Sequence, residues 1–256
     1  MTMIKPYNSI FFCFLALTAA AAVLIRHALR DKDEAHRERF LLALCLCNLA
    51  LFTVYKVALS RDAEYISNYY LGHFTWFNEL PLHLCNINLF LIPIGLLRRD
   101  RATLGFAFLV APLGALMALC FPEPLFSGYP LLLPRMLGFY CTHALLIVCG
   151  LSLGTLGFYR PEIRELPGVL KRFLALTVCI HMVNVVFRLT VCPAANYFFT
   201  YGAEISVLQL FWRLISVPLL YGLPAVAILM AYMGVVCALY QWAIRRRERE
   251  REEFRV

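Results

Sequence analysis

Blocks of about 20 residues with almost no charge recur along the chain, near 9–25, 40–58, 77–97, 103–121, 131–158, 173–192 and 217–241. A segment of that length and composition is stable as a helix across a bilayer, where its apolar surface avoids water and its backbone groups satisfy one another. Seven blocks predict an all-α polytopic fold. In that reading residues 1–241 form a single seven-helix transmembrane bundle and residues 242–256 a charged cytoplasmic tail. Of the 256 residues 61% are hydrophobic and 16% charged, whereas soluble domains carry about 45–50% apolar and about 25% charged residues. Too little chain remains between the blocks for a soluble catalytic domain, so any chemistry lies in or against the membrane.

Charge between the blocks sets the expected orientation. Arg26, Arg30, Lys32, Arg37 and Arg39 follow the first block, Arg98, Arg99 and Arg101 the third, and Arg160, Arg164, Lys171 and Arg172 the fifth. With six more in the tail, these make 18 of the 24 Lys and Arg, and they flank alternate gaps. Positive charge is retained on the inner side of a membrane, which predicts the N-terminus outside and the C-terminus inside. Only Lys5 precedes the first apolar run and a basic cluster follows it, the pattern of an uncleaved helix rather than of a signal peptide. The net charge of +8 is then a matter of topology, and no basic stripe for nucleic acid remains. The partner this composition implies is the lipid bilayer; the sequence specifies no oligomeric state.

Counted inward from the outer end of each block, the intramembrane polar residues fall at one depth. Glu79, His83 and Asn86 recur at i, i+4 and i+7 on the third block, one face of a helix if the helix starts near 77. Arg135, Phe139 and His143 follow on the fifth block, His181, Asn184 and Arg188 on the sixth, and Lys56 closes the second. A charge at the bilayer centre costs about 2.5 to 3.5 kcal/mol on insertion scales, so such residues face a protein interior or a wet cavity. The sequence therefore predicts one outward-opening polar pocket. In it Glu79 pairs with one of Lys56, Arg135 and Arg188, and positive charge is left over. The blander reading is a polar network that fixes helix packing.

The segment LPLHLCNINLFLIP resembles the YwaF-type bacterial integral membrane proteins, and FYCTHALLIV and VNVVFRLTVCPAANYFF look like later landmarks of that family. The chain is more distantly similar to transmembrane protein 164, described as a phospholipid acyltransferase, and to the androgen-induced hydrolases, which cleave fatty esters with an intramembrane nucleophile and a His. The resemblance implies the cytoplasmic membrane of a bacterium, a phospholipid or fatty-acyl substrate, functional roles for His83 and Asn86, and His143 as counterpart of the hydrolase His. Transmembrane protein 164 has an Asn-Pro-Cys-His motif, whereas here Leu82 stands at the Cys position and the nearest thiol is Cys85.

Acyl transfer or ester hydrolysis needs a nucleophile or activated water, a base and oxyanion donors. His143 and His83 are the candidate bases. Arg135 and Arg188 can bind an anionic headgroup, and Asn86 and Asn184 can donate to an oxyanion. Cys85 is a candidate nucleophile about 200° around the helix from His83, so its base would come from another span. Its simpler reading is packing, which predicts that His143→Ala abolishes activity and Cys85→Ala does much less. No cofactor is expected; the alternative of zinc held by His83, His143 and His181 has no compact ligand spacing behind it. The competing function is a transporter or receptor for an anionic or amphipathic ligand, with Glu79 as a proton-coupled switch.

Overall fold

The computed structural model describes residues 3–70 and 73–253, with side chains through Arg246; the rest of the charged tail lies outside the described residues. Helices α1 (Ser9–Leu29), α2 (Glu34–Leu59), α5 (Arg101–Cys120), α6 (Pro134–Thr155), α7 (Leu166–Thr190) and α9 (Leu223–Glu253) are the long ones, and α3 (Ala63–Tyr70), α4 (Leu84–Arg98) and α8 (Ser206–Leu214) the short ones. Among the described residues six helices are long and apolar enough to cross a membrane. Several helix starts follow capping chemistry. Asn8 Oδ1 accepts from Phe11 N at 2.9 Å and Asp33 Oδ1 from His36 N at 2.7 Å, and Pro134 opens α6, where its missing N–H costs nothing.

The third block departs from expectation. Its helix is α4, with 15 residues, which at 1.5 Å per residue reaches about 22 Å, short of the roughly 30 Å hydrocarbon core. Residues Trp76–Asn78 form a single 3-10 turn, and an irregular stretch then runs to His83, the N-cap of α4. Pro81 is the physical reason, since it lacks an N–H and pushes Leu80 out of helical conformation. Glu79 and His83 therefore do not share a helical face with Asn86. They sit on non-helical backbone, which a membrane protein tolerates only where other protein groups satisfy it.

The bundle is built around α6, which packs against α1, α2, α4 and α5. Glycines allow the close approach. A Cβ at Gly138 would overlap the Tyr55 ring of α2, one at Gly150 would lie 2.7 Å from Pro112 Cγ, and one at Gly154 would lie 2.5 Å from Phe108 Cε2, both on α5. Close contact through small residues is how helices associate where lipid offers no hydrophobic drive. α7 packs on α5 and α9, and much of its surface is apolar and exposed.

Contacts sort the connections into two ends. At one, Arg37 donates to the Leu156 carbonyl at 2.7 Å, Arg99 pairs with Glu34 at 3.3 Å, and Arg101 pairs with Glu162 at 2.9 Å and with Glu165. At the other, here called the site face, the strand β1 (Met3–Ile4) pairs antiparallel with β2 (Tyr129–Pro130), Ile4 opposite Tyr129. The segments 60–70, 73–83, 121–133 and 191–222 gather there.

Candidate functional site

The predicted polar layer divides into four separate arrangements. The first centres on Glu79, 5% exposed. Its Oε2 takes Lys56 Nζ at 2.5 Å, and its Oε1 accepts from the Tyr65 hydroxyl at 2.6 Å and the Tyr70 hydroxyl at 2.5 Å. Lys56 stands at the end of α2, and both tyrosines come from α3. The carboxylate is thus fully paired, which makes burial of its charge tolerable.

Arg135 is the second, and it leaves the expected pocket. Its side chain is 1% exposed, with Nη1 2.9 Å from Asp62 Oδ2, Nη2 2.7 Å from Glu64 Oε2 and Nε donating to the Leu125 carbonyl at 3.2 Å. Its guanidinium lies 4.2 Å from the Tyr129 ring centroid. The hydrogen bond from Arg135 holds the Glu64 carboxyl below its ordinary range. Asp62 and Glu64 lie outside the predicted layer, and the signal for them was the SRDAEY segment that begins four residues beyond Lys56. With Lys56 and Arg135 both neutralised, Arg188 is the one cation of the predicted layer without an ion-pair partner among the described residues. A cavity of about 520 Å³ on the site face is instead lined by Glu64, Glu123 and Glu204 with Tyr69 and Tyr129. Among the described residues the half-buried Glu123 carboxylate has no hydrogen-bond or ion-pair partner, and burial plus the nearby Glu204 push it up to about 7.

The third arrangement involves α7 and the loop that follows it. Asn184, fully buried, donates to the Tyr197 carbonyl at 2.7 Å and to Thr200 Oγ1 at 2.9 Å, and accepts from Tyr197 N at 2.8 Å. His181 Nδ1 lies 3.1 Å from Thr200 Oγ1. Arg188 donates to the Ala195 carbonyl at 3.1 Å and lies 4.1 Å from the Tyr201 ring centroid. His181, Asn184 and Arg188 thus shape a hood, residues 195–202. The hood reaches the irregular segment before α4: the Tyr197 hydroxyl donates to the Phe77 carbonyl at 2.6 Å and accepts from Leu80 N at 3.1 Å. His83 packs between the rings of Tyr197 and Phe199, at 5.2 and 5.3 Å.

The fourth arrangement is a closely packed crevice between α4 and α6, too tight to hold a water molecule, lined by Cys85, Asn86, Leu89, Thr142, His143 and Leu146. His143 is buried; Cys85 and Asn86 are half-buried and reach the bundle surface. His143 Nδ1 lies 2.7 Å from the Phe139 carbonyl. A carbonyl only accepts, so Nδ1 carries the proton and Nε2 keeps its lone pair. Asn48 of α2 donates to the Thr142 carbonyl at 3.2 Å and braces this turn of α6. The structure therefore brings Cys85, Asn86 and His143 together with Thr142, and leaves Arg135, His181 and Arg188 elsewhere. Among the described residues no three His, Cys, Asp or Glu are placed to hold a metal ion.

No curated protein and no solved structure matches the chain. The model of the TMEM164 family matches residues 3–240, which includes each of the long helices through most of its length and all four arrangements. The chain is an integral, multi-pass membrane protein and belongs to the TMEM164 family.

Proposed function

We propose that this chain is a lipid-acting enzyme of acyl transfer or ester hydrolysis, with Cys85 as nucleophile and His143 as its base. The observation that carries the reading is the crevice shared by Cys85 of α4 and His143 of α6. Viewed along α4 alone, Cys85 lacks a base; the crevice it shares with His143 of the neighbouring helix supports that residue in the role, and the Cys85 thiol itself donates to Asn86 Oδ1 at 3.5 Å. In the reaction, His143 Nε2 takes the Cys85 thiol proton as the sulfur attacks the carbonyl carbon of a fatty ester. The amide nitrogen of Asn86 donates to the developing oxyanion. The ester C–O bond breaks, and the departing alcohol leaves with the proton from Nε2. An acceptor hydroxyl or water then gives its proton to Nε2 and attacks the thioester, which releases the Cys85 thiolate to be reprotonated. No cofactor enters this sequence. The crevice as packed has no room for a water molecule, so turnover requires the α4–α6 seam to part.

The topology that accompanies this reading has seven passes, with α4 and its irregular entry as the third, the N-terminus outside and the C-terminus inside a bacterial cytoplasmic membrane. The inner clustering of Lys and Arg supports it. A binding or transport role is the second reading, favoured by the roughly 520 Å³ cavity on the site face. Its carboxylates suit a cationic or neutral amphiphile better than the anionic ligand suggested by the sequence.

The test is lipid analysis of cells with and without the chain, joined to turnover by the purified protein in vesicles. Cys85→Ala and His143→Ala should each abolish turnover while both variants still insert, and alkylation of Cys85 should slow in His143→Ala. Full turnover by Cys85→Ala would remove the thiol from the mechanism and leave water activated by His143.

A further inference from the structure

Helix α8 is nine residues long, about 13 Å, so it cannot span a membrane, yet its residues are sharply segregated. Phe211 is buried against the hood side, with Val207 and Leu208 half-buried beside it. Ser206, Gln209 and Arg213 form an exposed polar edge. Between these faces lies a third strip left uncovered among the described residues: Leu210, 57% exposed, and Leu214, 71% exposed, with exposed Val217 following beyond the end of α8. The i, i+4 spacing keeps Leu210 and Leu214 on one side of α8, and Val217 follows after the extended Ile215. The strip runs on through exposed Leu220 and Leu223, and Leu223 is the first residue of α9, a helix long and apolar enough to cross the membrane. The apolar surface under α8 is thus continuous with the lipid-facing surface of α9.

We infer that α8 lies in the lipid leaflet at the site face, with Leu210, Leu214 and Val217 inserted in the acyl boundary, and moors the hood that covers His83. An amphipathic helix seated this way buries its apolar edge about 5 to 10 Å below the headgroups. Arg213 has no ion-pair or hydrogen-bond partner among the described residues and emerges on the polar edge, where a lipid phosphate can take its charge. Trp212 lies about 160° around α8 from Leu210 and Leu214, on the side that meets Tyr221, so it reports the depth of the helix from its headgroup side. The mooring is covalently short and well bonded. Trp212 packs edge-on against Tyr221 at 5.0 Å, the Tyr221 hydroxyl donates to the Gly202 carbonyl at 3.0 Å and to that of Phe199, and Leu219 N donates to the Thr200 carbonyl at 2.6 Å. A shift of α8 in the leaflet is therefore transmitted to residues 199–202 of the hood, and through Tyr197 to the segment that enters α4.

The test uses the full chain in phosphatidylcholine vesicles, with Trp76→Phe and Trp242→Phe so that Trp212 is the single tryptophan. Both replaced residues are exposed. Bromine placed high on the lipid acyl chains should quench Trp212 at least about twofold more strongly than bromine near the chain ends or aqueous iodide, as an interfacial depth requires. Leu210→Glu with Leu214→Glu should reverse that order; if this variant fails to insert, Leu210→Ser in the same background should weaken bromine quenching. Iodide quenching without bromine quenching in the parent protein would place α8 in water and overturn the inference. Protection from both quenchers, with cross-linking between copies through α8, would overturn it in favour of a second copy covering the strip.

Discussion

Lys56→Met isolates the cost of a buried carboxylate deprived of its cation. Glu79 is 3% exposed and Lys56 15% exposed in their side chains, so the pair is almost withdrawn from water. Breaking a buried pair by removing one partner costs about 3 to 5 kcal/mol. The lower end applies here, because the Tyr65 and Tyr70 hydroxyls still donate to Glu79 and the Lys56 ammonium has one edge near solvent. About 3 kcal/mol lowers Tm by roughly 6 to 12 °C in a chain of this size. Glu79→Gln alone leaves a lysine beside a neutral amide and should cost about 2 kcal/mol. The double variant is the decisive one. With Met at 56 and Gln at 79 no charge is buried, and the Gln carbonyl oxygen still accepts from both tyrosines, so the loss should be about 1 to 2 kcal/mol. The singles then exceed the double by about 3 kcal/mol, well outside the 0.3 to 0.5 kcal/mol scatter of independent sites. Thermal unfolding of the four proteins in one detergent, followed by fluorescence and by recovery of the unaggregated protein on gel filtration, reads this directly. A double variant as unstable as the two singles summed would mean that Lys56 and Glu79 do not stabilise each other, and the reasoning about the site face would fall with it.

Two further predictions follow from the packing and the acidic cavity. The Glu123 carboxyl is raised to about 7 from an ordinary value of 4.5, so between those values the folded chain holds a proton that the unfolded chain releases; stability is fully present below the lower value and is lost as pH rises through the upper one. Glu123→Gln should flatten the dependence of Tm on pH in that window, and parallel curves for the two proteins would exclude Glu123 as its source. Gly138→Ala forces a methyl into the Tyr55 ring, which should cost about 1 to 3 kcal/mol, whereas Gly168→Ala meets open space and should be neutral or stabilising by up to about 1 kcal/mol; equal Tm changes for the two would count against the α2–α6 seam.

Hydropathy made the helices legible because lipid imposes one length and one composition on any helix that crosses it. The blocks near 9–25, 40–58 and 103–121 became α1, α2 and α5 with boundaries shifted by a few residues. The same reasoning misled at 77–97, where a continuous helical period was assumed through Pro81. Proline ended that period, and Glu79 and His83 moved onto backbone that a tyrosine more than a hundred residues away satisfies. Several of the polar residues also gather toward one end of the bundle. Depth along a helix, however, says nothing about azimuth between helices. Arg135 and His143 lie on one helix, yet Arg135 turns to Asp62 and Glu64 while His143 lines the crevice with Cys85, and that choice depends on which neighbour each face meets. The neighbour is set by glycines such as Gly138 and Gly150, whose value is the absence of a side chain and which carry no hydropathic signal. The proximity of Cys85 to His143 is therefore a property of helix packing. Spacing along α4 gave the thiol no base, and it is the α4–α6 contact that brings His143 to the same crevice.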